Sequence, residues 1–400
     1  MKSLNQFMCV MVALTVCVGP LAAEESQGDR VRFSVNARTD YTDNRDAWES
    51  TEDSNADFYL RPRVDVLFET ESTLFDIYYA PALRYRTNPS ENQNDLEVQQ
   101  DLGLTVKYRP TRRLSLHLNE KFDLTDDPSV TEGGSTVRGD RSYVANTLRT
   151  GADYMVTRKS EIDVYVQNSI RRYDDDDMAA RWDEDRTDVG SEFIRHLSKN
   201  VQISIEGRYS MYDYESVGGV VRDFDSALLA AGAEKTLSRR VTLGGQIGAQ
   251  AQAYDDDEID GSTNPFFRLY LRGNTTPALR LTGSLSHAVR DADAYPFAPQ
   301  EYSEVRGIVD WDTTSHITLT FSGAYSMSRY EEVLPSAAEL VELYGEPDGD
   351  ETSINVYGQI AYKVNDYLTV LLRQRYQDVD SDVWVSYTKN TATLEVTTYF

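Results

Sequence analysis

Apolar and polar residues alternate along most of the chain. In the segment HITLTFSGAYSM, Ile317, Leu319 and Phe321 fall on one side of the alternation, and Thr318 and Thr320 fall on the other. The segments RLSLHLNEKFDL, SEIDVYVQNSI, NVQISIEGRYSM and ETSINVYGQIAYKV behave in the same way. Because successive side chains of a strand point to opposite faces, each segment of about ten residues predicts a strand with one apolar and one polar face.

Short turns and long acidic loops alternate between these segments. The turns are expected near 71–73, 110–112, 158–160, 198–200, 238–240, 275–277, 313–315 and 365–366. The long loops are expected near 45–55, 126–139, 174–186, 214–222, 254–264, 291–300 and 331–351, with shorter ones near 88–94 and 379–386. Short connections at one end and long ones at the other are typical of bacterial membrane barrels.

The pattern predicts an all-β fold, a transmembrane antiparallel up-and-down β-barrel of about eighteen strands, with sixteen as the alternative count. The first strand is expected at 30–44 and the last at 387–400. A β-propeller would also repeat at a similar length, but its glycine and Trp-Asp signatures are missing. A soluble β-sandwich rarely keeps so many strands in one up-and-down series.

The first residues have the features of a secretory signal. Lys2 precedes a short apolar run that ends in small residues, so residues 1–23 are predicted to be a cleaved signal peptide and 24–400 a single barrel domain. Lipid attachment at Cys17 is the alternative. Cys9 and Cys17 are the only cysteines, so the predicted mature chain has no thiol for a disulfide, a nucleophile or a metal site.

The last strand carries a separate signal. In NTATLEVTTYF, the apolar residues Leu394, Val396 and Phe400 share one face. This arrangement resembles the terminal strand by which outer-membrane barrels are recognised for insertion. We therefore expect the bacterial outer membrane as the location, and its lipid, its lipopolysaccharide and the barrel-insertion machinery as partners.

Composition agrees with a membrane barrel and disfavours one class of partner. The chain has 66 acidic against 40 basic residues and a net charge of −26, which argues against nucleic acid as a partner. Its 26 tyrosines suit the aromatic girdles of a barrel.

Arginines dominate the predicted inner face near the two ends of the chain. If the apolar faces meet lipid, the alternate positions line the lumen. Barrel closure makes the penultimate strand a near neighbour of the first three strands, so their arginines form one basic wall, opposite acidic residues on strands five to nine. Such a wall suits carboxylate or phosphate-bearing solutes; the alternative is a lumen of mutually neutralising pairs. The predicted wall consists of Arg32, Arg38, Arg61, Arg63, Arg84, Arg86, Arg373 and Arg375.

Inward-facing tyrosines form a second candidate feature. Tyr59, Tyr78, Tyr165 and Tyr270 are among them. Their rings could offer flat surfaces on which sugars stack.

Two kinds of loop segment suggest further chemistry. Ser336 and Glu339 have the spacing of a capping box and begin a short predicted helix with Leu340 and Leu343, which either folds inward as a constriction or lies outside. The acidic runs YDDDDM and YDDDEIDG invite a calcium interpretation. The second run departs from the calcium-loop pattern, so both are expected to be hydrated loops and no metal site is predicted.

An enzyme is not expected. The chain has four histidines, and no set of nucleophile, base and orienting residue is recognisable. We predict no catalytic residues and no cofactor.

The chain as a whole, with segments such as FYLRPRVDVLFETESTLFDIYYAPALRYR, resembles the β-barrel porin 2 family. The resemblance implies an outer-membrane pore, and some relatives are proposed exopolysaccharide export pores. Exopolysaccharide secretion, or passage of other anionic solutes, is therefore the predicted function, with acidic polysaccharide and periplasmic export components as partners. The alternatives are a general diffusion porin for small anions and a plugged structural or adhesive surface barrel.

Overall fold

Eighteen strands and one short helix make up the described chain. The computed structural model describes residues 30–45, 47, 53–89, 94–125, 142–214, 223–256, 261–292, 297, 299–330, 348–383 and 385–400. The helix α1 spans Asp176–Trp182. The strands are β1 (Arg30–Thr42), β2 (Asn55–Glu69), β3 (Thr73–Arg86), β4 (Leu96–Thr111), β5 (Leu114–Thr125), β6 (Tyr143–Thr157), β7 (Ser160–Tyr173), β8 (Glu184–His196), β9 (Val201–Tyr214), β10 (Phe224–Ser238), β11 (Val241–Tyr254), β12 (Ser262–Thr276), β13 (Leu279–Asp291), β14 (Pro299–Asp312), β15 (Ile317–Tyr330), β16 (Gly349–Asn365), β17 (Leu368–Ser381) and β18 (Tyr387–Tyr399).

The strands form one closed antiparallel barrel. Each strand pairs with its neighbours in sequence, and β1 also pairs with β18, with Arg38 opposite Glu395. The predicted up-and-down barrel of eighteen strands is confirmed. Closure leaves no free sheet edge, so every strand has a hydrogen-bonding partner on both sides. The segment 1–23 lies outside the described residues.

The connections differ in length at the two ends, as predicted. Eight tight connections join β2 to β3, β4 to β5, and so on to β16 and β17; residues 239–240 between β10 and β11 are an example. We call the end of the barrel with these eight tight connections the turn end, and the opposite end the loop end. Consecutive strands run in opposite directions between the turn end and the loop end. Residues near the start of β3, β5 or β7 therefore lie close to the turn end.

The two faces of the barrel have opposite chemistry. Large apolar side chains on the outer face are exposed, with Ile247 at 67%, Leu229 at 66% and Val305 at 53%. The inner face carries the charged and polar alternates, and Arg86 and Gln300 there are buried. A wall of exposed apolar side chains of this extent marks an interaction with membrane or protein. No helix among the described residues is long and apolar enough to cross a membrane.

The acidic run after β7 does not form the hydrated loop expected from the sequence. Asp175 caps helix α1 by accepting a hydrogen bond from the backbone N–H of Met178 at 3.0 Å. Asp183, just after the helix, accepts one from the backbone N–H of Tyr173 at 2.7 Å. These bonds satisfy backbone donors that would otherwise lack partners. The acidic side chains therefore hold the loop in a compact form.

Helix α1 lies against the inner wall at the loop end. Met178, Ala179 and Trp182 pack on the buried rings of Tyr143 and Tyr173. Those two tyrosines face each other across β6 and β7 in the inner set of side chains. The sequence predicted a helix at another loop, with Ser336, Glu339, Leu340 and Leu343; that segment lies outside the described residues.

Candidate functional site

The structure brings the eight arginines of the predicted basic wall together on the inner face. They lie on β17, β1, β2 and β3, with β18 between β17 and β1. Arg38 is opposite Tyr59 of β2, which in turn is opposite Arg84 of β3. Residues directly opposite in an antiparallel pair share a face. Arg373 joins the set through β18, where it is opposite Thr393.

The arginines form a ladder that runs from the turn end toward the loop end. Every second residue of β1 faces the lumen. We call each of these residues, together with the residues opposite it on the neighbouring strands, an inner row. Each row from Arg30 to Thr42 holds at least one arginine. Arg30 was not predicted, although the same alternation that gave Arg32 would have found it. In row order the arginine ladder is Arg30, Arg32, Arg63, Arg61, Arg38 with Arg84, Arg86 with Arg373, and Arg375.

Four of these arginines are paired with a carboxylate. The Arg84 Nε donates to Asp57 at 2.9 Å, and both side chains are buried. The Arg63 guanidinium holds Asp65 through Nε at 2.9 Å and Nη2 at 2.6 Å. The other two ion pairs are Arg38 with Asp40 at 3.0 Å and Arg86 with Glu97 at 2.6 Å. This part of the wall therefore matches the alternative of mutually neutralising pairs.

The other five arginines have no carboxylate within ion-pair distance among the described residues. Arg373 donates through Nε and Nη2 to the amide oxygen of Gln359, at 2.9 and 2.6 Å. Arg375 donates to the amide oxygen of Asn355 at 3.0 Å. A neutral amide fixes the guanidinium without cancelling its charge. Such positive charges remain available to an anion, and the remaining members of this group are Arg30, Arg32 and Arg61.

A cavity of about 430 Å³ lies against the turn-end half of the ladder. It is lined by five ladder arginines, including the unpaired Arg30, Arg32 and Arg61, against the carboxylates of Asp65, Asp76 and Glu395. The lining thus has an excess of positive charge. Its volume is that of a small-molecule site, and its position on the inner wall places a bound solute beside the path through the barrel.

Two of the inner tyrosine rings lie flat against glycines of the neighbouring strands, an arrangement that the sequence did not suggest. The rings of Tyr78 and Tyr165 lie over Gly103 and Gly190 of the neighbouring strands, where an added Cβ would come within 2.2 and 2.3 Å of a ring atom. Each glycine therefore makes room for a ring that lies flat on the wall.

Arginines cover the other faces of these rings. The guanidinium carbon of Arg63 is 4.0 Å from the ring centroid of Tyr78, and that of Arg149 is 3.7 Å from Tyr165. Both distances fall within cation–π range. With glycine on one side and guanidinium on the other, these two rings do not offer the free stacking surface for sugars that the sequence suggested.

The opposite wall is acidic, as predicted for strands five to nine. Asp153 of β6 is opposite Asp163 of β7, which is opposite Glu192 of β8, which is opposite Glu206 of β9. We call these four residues the carboxylate row. Like charges in direct cross-strand contact repel one another. The row is partly compensated, because Gln246 donates to Glu206 at 3.1 Å and Arg149 lies 4.0 Å from Asp163.

The residues of the predicted insertion signal lie on the outer face. Leu394 is opposite Thr39, and Val396 is opposite Ala37 of β1. The ring centroid of Phe400 is 5.5 Å from that of Phe33. They form part of the exposed apolar surface at the β18–β1 seam; their recognition by insertion machinery remains a prediction.

The chain is similar to solved structures of outer-membrane proteins from Pseudomonas aeruginosa. It matches the outer membrane protein OpdK with 10% identity and a TM-score of 0.53, over 93% of this chain and 99% of that one. OpdK with vanillate matches with 10% identity and a TM-score of 0.52, over 92% and 99%. OccK2 (OpdF) in complex with glucuronate matches with 12% identity and a TM-score of 0.51, over 92% and 98%.

No family model and no curated protein matches the chain. The resemblance to the β-barrel porin 2 family therefore stays a prediction. At identities this low, the likeness to the solved structures establishes one thing: this chain has the closed barrel fold of these outer-membrane proteins.

Proposed function

We propose that this protein is an outer-membrane pore through which small anionic solutes pass along the arginine ladder. The observation that carries the proposal is the set of five arginines without a carboxylate partner, three of which line one cavity. Fixed positive charge along a narrow path raises the local concentration of anions and speeds their entry. Guanidinium groups also bind carboxylate and phosphate in a two-pronged geometry.

The outer membrane is the location that this surface supports best. Exposed large apolar side chains surround a closed barrel in which every described strand is hydrogen-bonded to a neighbouring strand on both sides. Hydrocarbon solvates such a surface, whereas water does not. The solved structures of similar fold are named as outer-membrane proteins or their complexes, which agrees with this location. A cleaved signal peptide at 1–23 is part of the same proposal.

Small anions fit the cavity better than a polysaccharide chain does. A volume of about 430 Å³ accommodates one small molecule. Two proteins of similar fold have been solved with vanillate and with glucuronate, each a small carboxylate. Exopolysaccharide secretion remains the second candidate, because the ladder extends over many rows and could contact several anionic units of a polymer. Both candidates describe a passive pore without an enzymatic role.

Ion selectivity in a planar bilayer tests the proposal. The refolded protein should give stable single channels that conduct anions better than cations, and glucuronate should reduce the current in a concentration-dependent way. The test variant combines Arg32→Gln, Arg61→Gln, Arg373→Gln and Arg375→Gln, which removes the four charges and leaves a shorter but still polar, hydrogen-bonding side chain at each position. The control is Arg208→Gln with Arg268→Gln, on the inner faces of β9 and β12. It removes two inner charges outside the ladder, and its matched ladder variant is Arg373→Gln with Arg375→Gln.

Each outcome separates the candidates. Loss of anion preference in the ladder variant, with the control close to the native protein, supports the proposal. Channels that ignore glucuronate but are blocked stepwise by long acidic oligosaccharides would favour the polysaccharide candidate. A correctly folded barrel that conducts nothing would refute the pore and leave a plugged surface barrel.

A further inference from the structure

A histidine stands beside the carboxylate row on the inner wall near the turn end. His117 of β5 is opposite Gly151 of β6, one inner position from Asp153. Its side chain is 13% exposed, and its Nδ1 lies 3.7 Å from the Oδ2 of Asp153. One ligand atom from each of His117, Asp153 and Asp163 can be chosen so that all three atoms lie within 4.8 Å of one another.

Gly151 fixes the orientation of the imidazole. A Cβ added to Gly151 would lie 2.4 Å from the Nε2 of His117. The Nε2 edge of the ring therefore lies against the wall, and Nδ1 faces the carboxylates. Only glycine leaves room for the ring in this position.

Asp163 has an oxygen that the described protein groups do not satisfy. Its Oδ1 is buried and has no hydrogen-bond partner, while its Oδ2 lies 4.0 Å from Arg149. A buried carboxylate oxygen without a partner is costly. It is also an available ligand on a residue that is grouped with an imidazole nitrogen and a second carboxylate.

We infer that His117, Asp153 and Asp163 form a binding site for a divalent transition-metal ion such as zinc. Zinc takes imidazole nitrogen at about 2.0–2.1 Å and carboxylate oxygen at about 2.0–2.2 Å, commonly with three protein ligands and water in the fourth position. Tetrahedral ligands at these distances stand roughly 3.4 Å apart. The 3.7 Å separation of His117 and Asp153 is close to that geometry, and the third ligand closes in by small side-chain rotations.

The charges around the site balance in favour of a cation. Arg149 is near Asp163, and Lys107 is opposite His117 in the register. These positive charges are opposed by the negative charges of the carboxylate row, in which Glu192 and Glu206 follow Asp163 on the next two strands. A bound divalent ion would relieve the repulsion within the row. It would also make the acidic wall less negative and so shift the pore further toward anions.

Metal binding can be measured without relying on conduction. Protein produced without a histidine tag and folded in detergent is titrated with cobalt(II), whose visible absorption reports nitrogen and oxygen ligation, and then with zinc as competitor. One equivalent of cobalt is expected to bind and to be displaced by zinc. His117→Asn should weaken binding by about tenfold or more, because even loss of a residue behind a ligand costs 10- to 100-fold.

The chain supplies a matched control. His196 is also on the inner face near the turn end, opposite Gln202, and it lies outside the proposed ligand set. His196→Asn should bind cobalt like the native protein. Equal binding by native protein and the His117→Asn variant, or no binding by the native protein, would overturn the site.

A second readout links the site to the pore. In planar bilayers, zinc should shift the reversal potential of native channels toward anion selectivity, EDTA should reverse the shift, and His117→Asn should remove it. Cobalt binding by a barrel that does not conduct would refute the pore proposal and support the metal site. Conducting channels that bind no cobalt would support the pore and refute the metal site.

Discussion

The arginine ladder and the carboxylate row lie on opposite parts of the inner wall of one barrel, but their charges are compensated to different extents. In the ladder, four arginines are neutralised by acids, whereas Arg373 and Arg375 are held by neutral amides and keep their charge. In the row, four acids lie side by side, and one arginine at 4.0 Å is their cationic neighbour; the other polar neighbours are Gln246, Ser204 and His117. Part of each wall is thus structural, and part carries uncompensated charge.

The paired arginines of the ladder are therefore expected to matter for stability, and the arginines without a carboxylate partner for ion selectivity. A buried ion pair contributes little net stability, but removal of one partner leaves an uncompensated charge. An arginine held by an amide can be neutralised without stranding an acid. Variants in the two parts of the ladder should therefore fail in different ways, and the predictions below run from the largest expected effect to the smallest.

Arg84→Leu should cause the largest loss of stability. It leaves Asp57 buried without its guanidinium partner, and roughly 3–5 kcal/mol of unfolding free energy should be lost. Denaturant unfolding of the folded barrel in detergent measures the change. Arg63→Leu is the control, because its pair with Asp65 is more exposed. Together with the lost contact to the Tyr78 ring, this variant should lose about 1–2 kcal/mol, less than Arg84→Leu. Equal losses in the two variants would contradict the division into buried and exposed pairs.

Removal of the uncompensated ladder charges should change selectivity and leave stability nearly intact. The fourfold glutamine variant at Arg32, Arg61, Arg373 and Arg375 is expected to lower the anion-to-cation permeability ratio by about tenfold, since focused charge changes ion entry by about 10- to 1,000-fold. The measurement is the reversal potential in a salt gradient. A variant that unfolds early, or that conducts with native selectivity, would show that these arginines are structural.

Salt should weaken the ladder's effect on selectivity. The Debye length falls from about 10 Å at 0.1 M to about 3 Å at 1 M salt. Anion preference of the native channel should therefore decline over this range, by a factor of a few, and the fourfold glutamine variant should show little dependence. A preference that does not change with salt would point to selection by size instead of charge.

Removal of the central charge of the carboxylate row should have the smallest effect. Glu192 is opposite both Asp163 and Glu206, so Glu192→Gln relieves two like-charge contacts. An increase of about 0.2–1 kcal/mol in unfolding free energy is expected, together with a small shift toward anions. Glu192 also has a side-chain hydrogen bond with Ser204, which glutamine can keep. A clear decrease in stability would mean that the contact with Ser204 outweighs the repulsion within the row.

Local alternation was enough to predict the fold and the inner residues. A strand alternates its side chains with a period of two, so the face of Arg61 or Tyr78 follows from its neighbours in sequence. The tight turns and the number of alternating runs then give the strand count. The inner positions of all eight predicted arginines follow from this rule alone, and so does that of Arg30, which the same rule would have added.

Pairing between strands could not be predicted in this way. Whether Arg84 meets Asp57, or Arg373 meets Gln359, depends on rotamers and on the cross-strand register, which single strands do not encode. Helix α1 shows the same limit: its acidic run resembled a solvated loop, because the capping bonds of Asp175 and the tyrosine surface under Met178 exist only in the folded barrel.

By itself the sequence determined an up-and-down barrel with an apolar outer face, an arginine-rich inner face at the seam and an acidic stretch opposite. These features are local or depend only on strand order. Only the tertiary structure decided which arginines keep their charge, which tyrosine rings are covered, and that His117 meets Asp153 and Asp163. The physical reason is that electrostatic compensation acts over a few ångströms, and distances of that size between separate strands are set by register and closure.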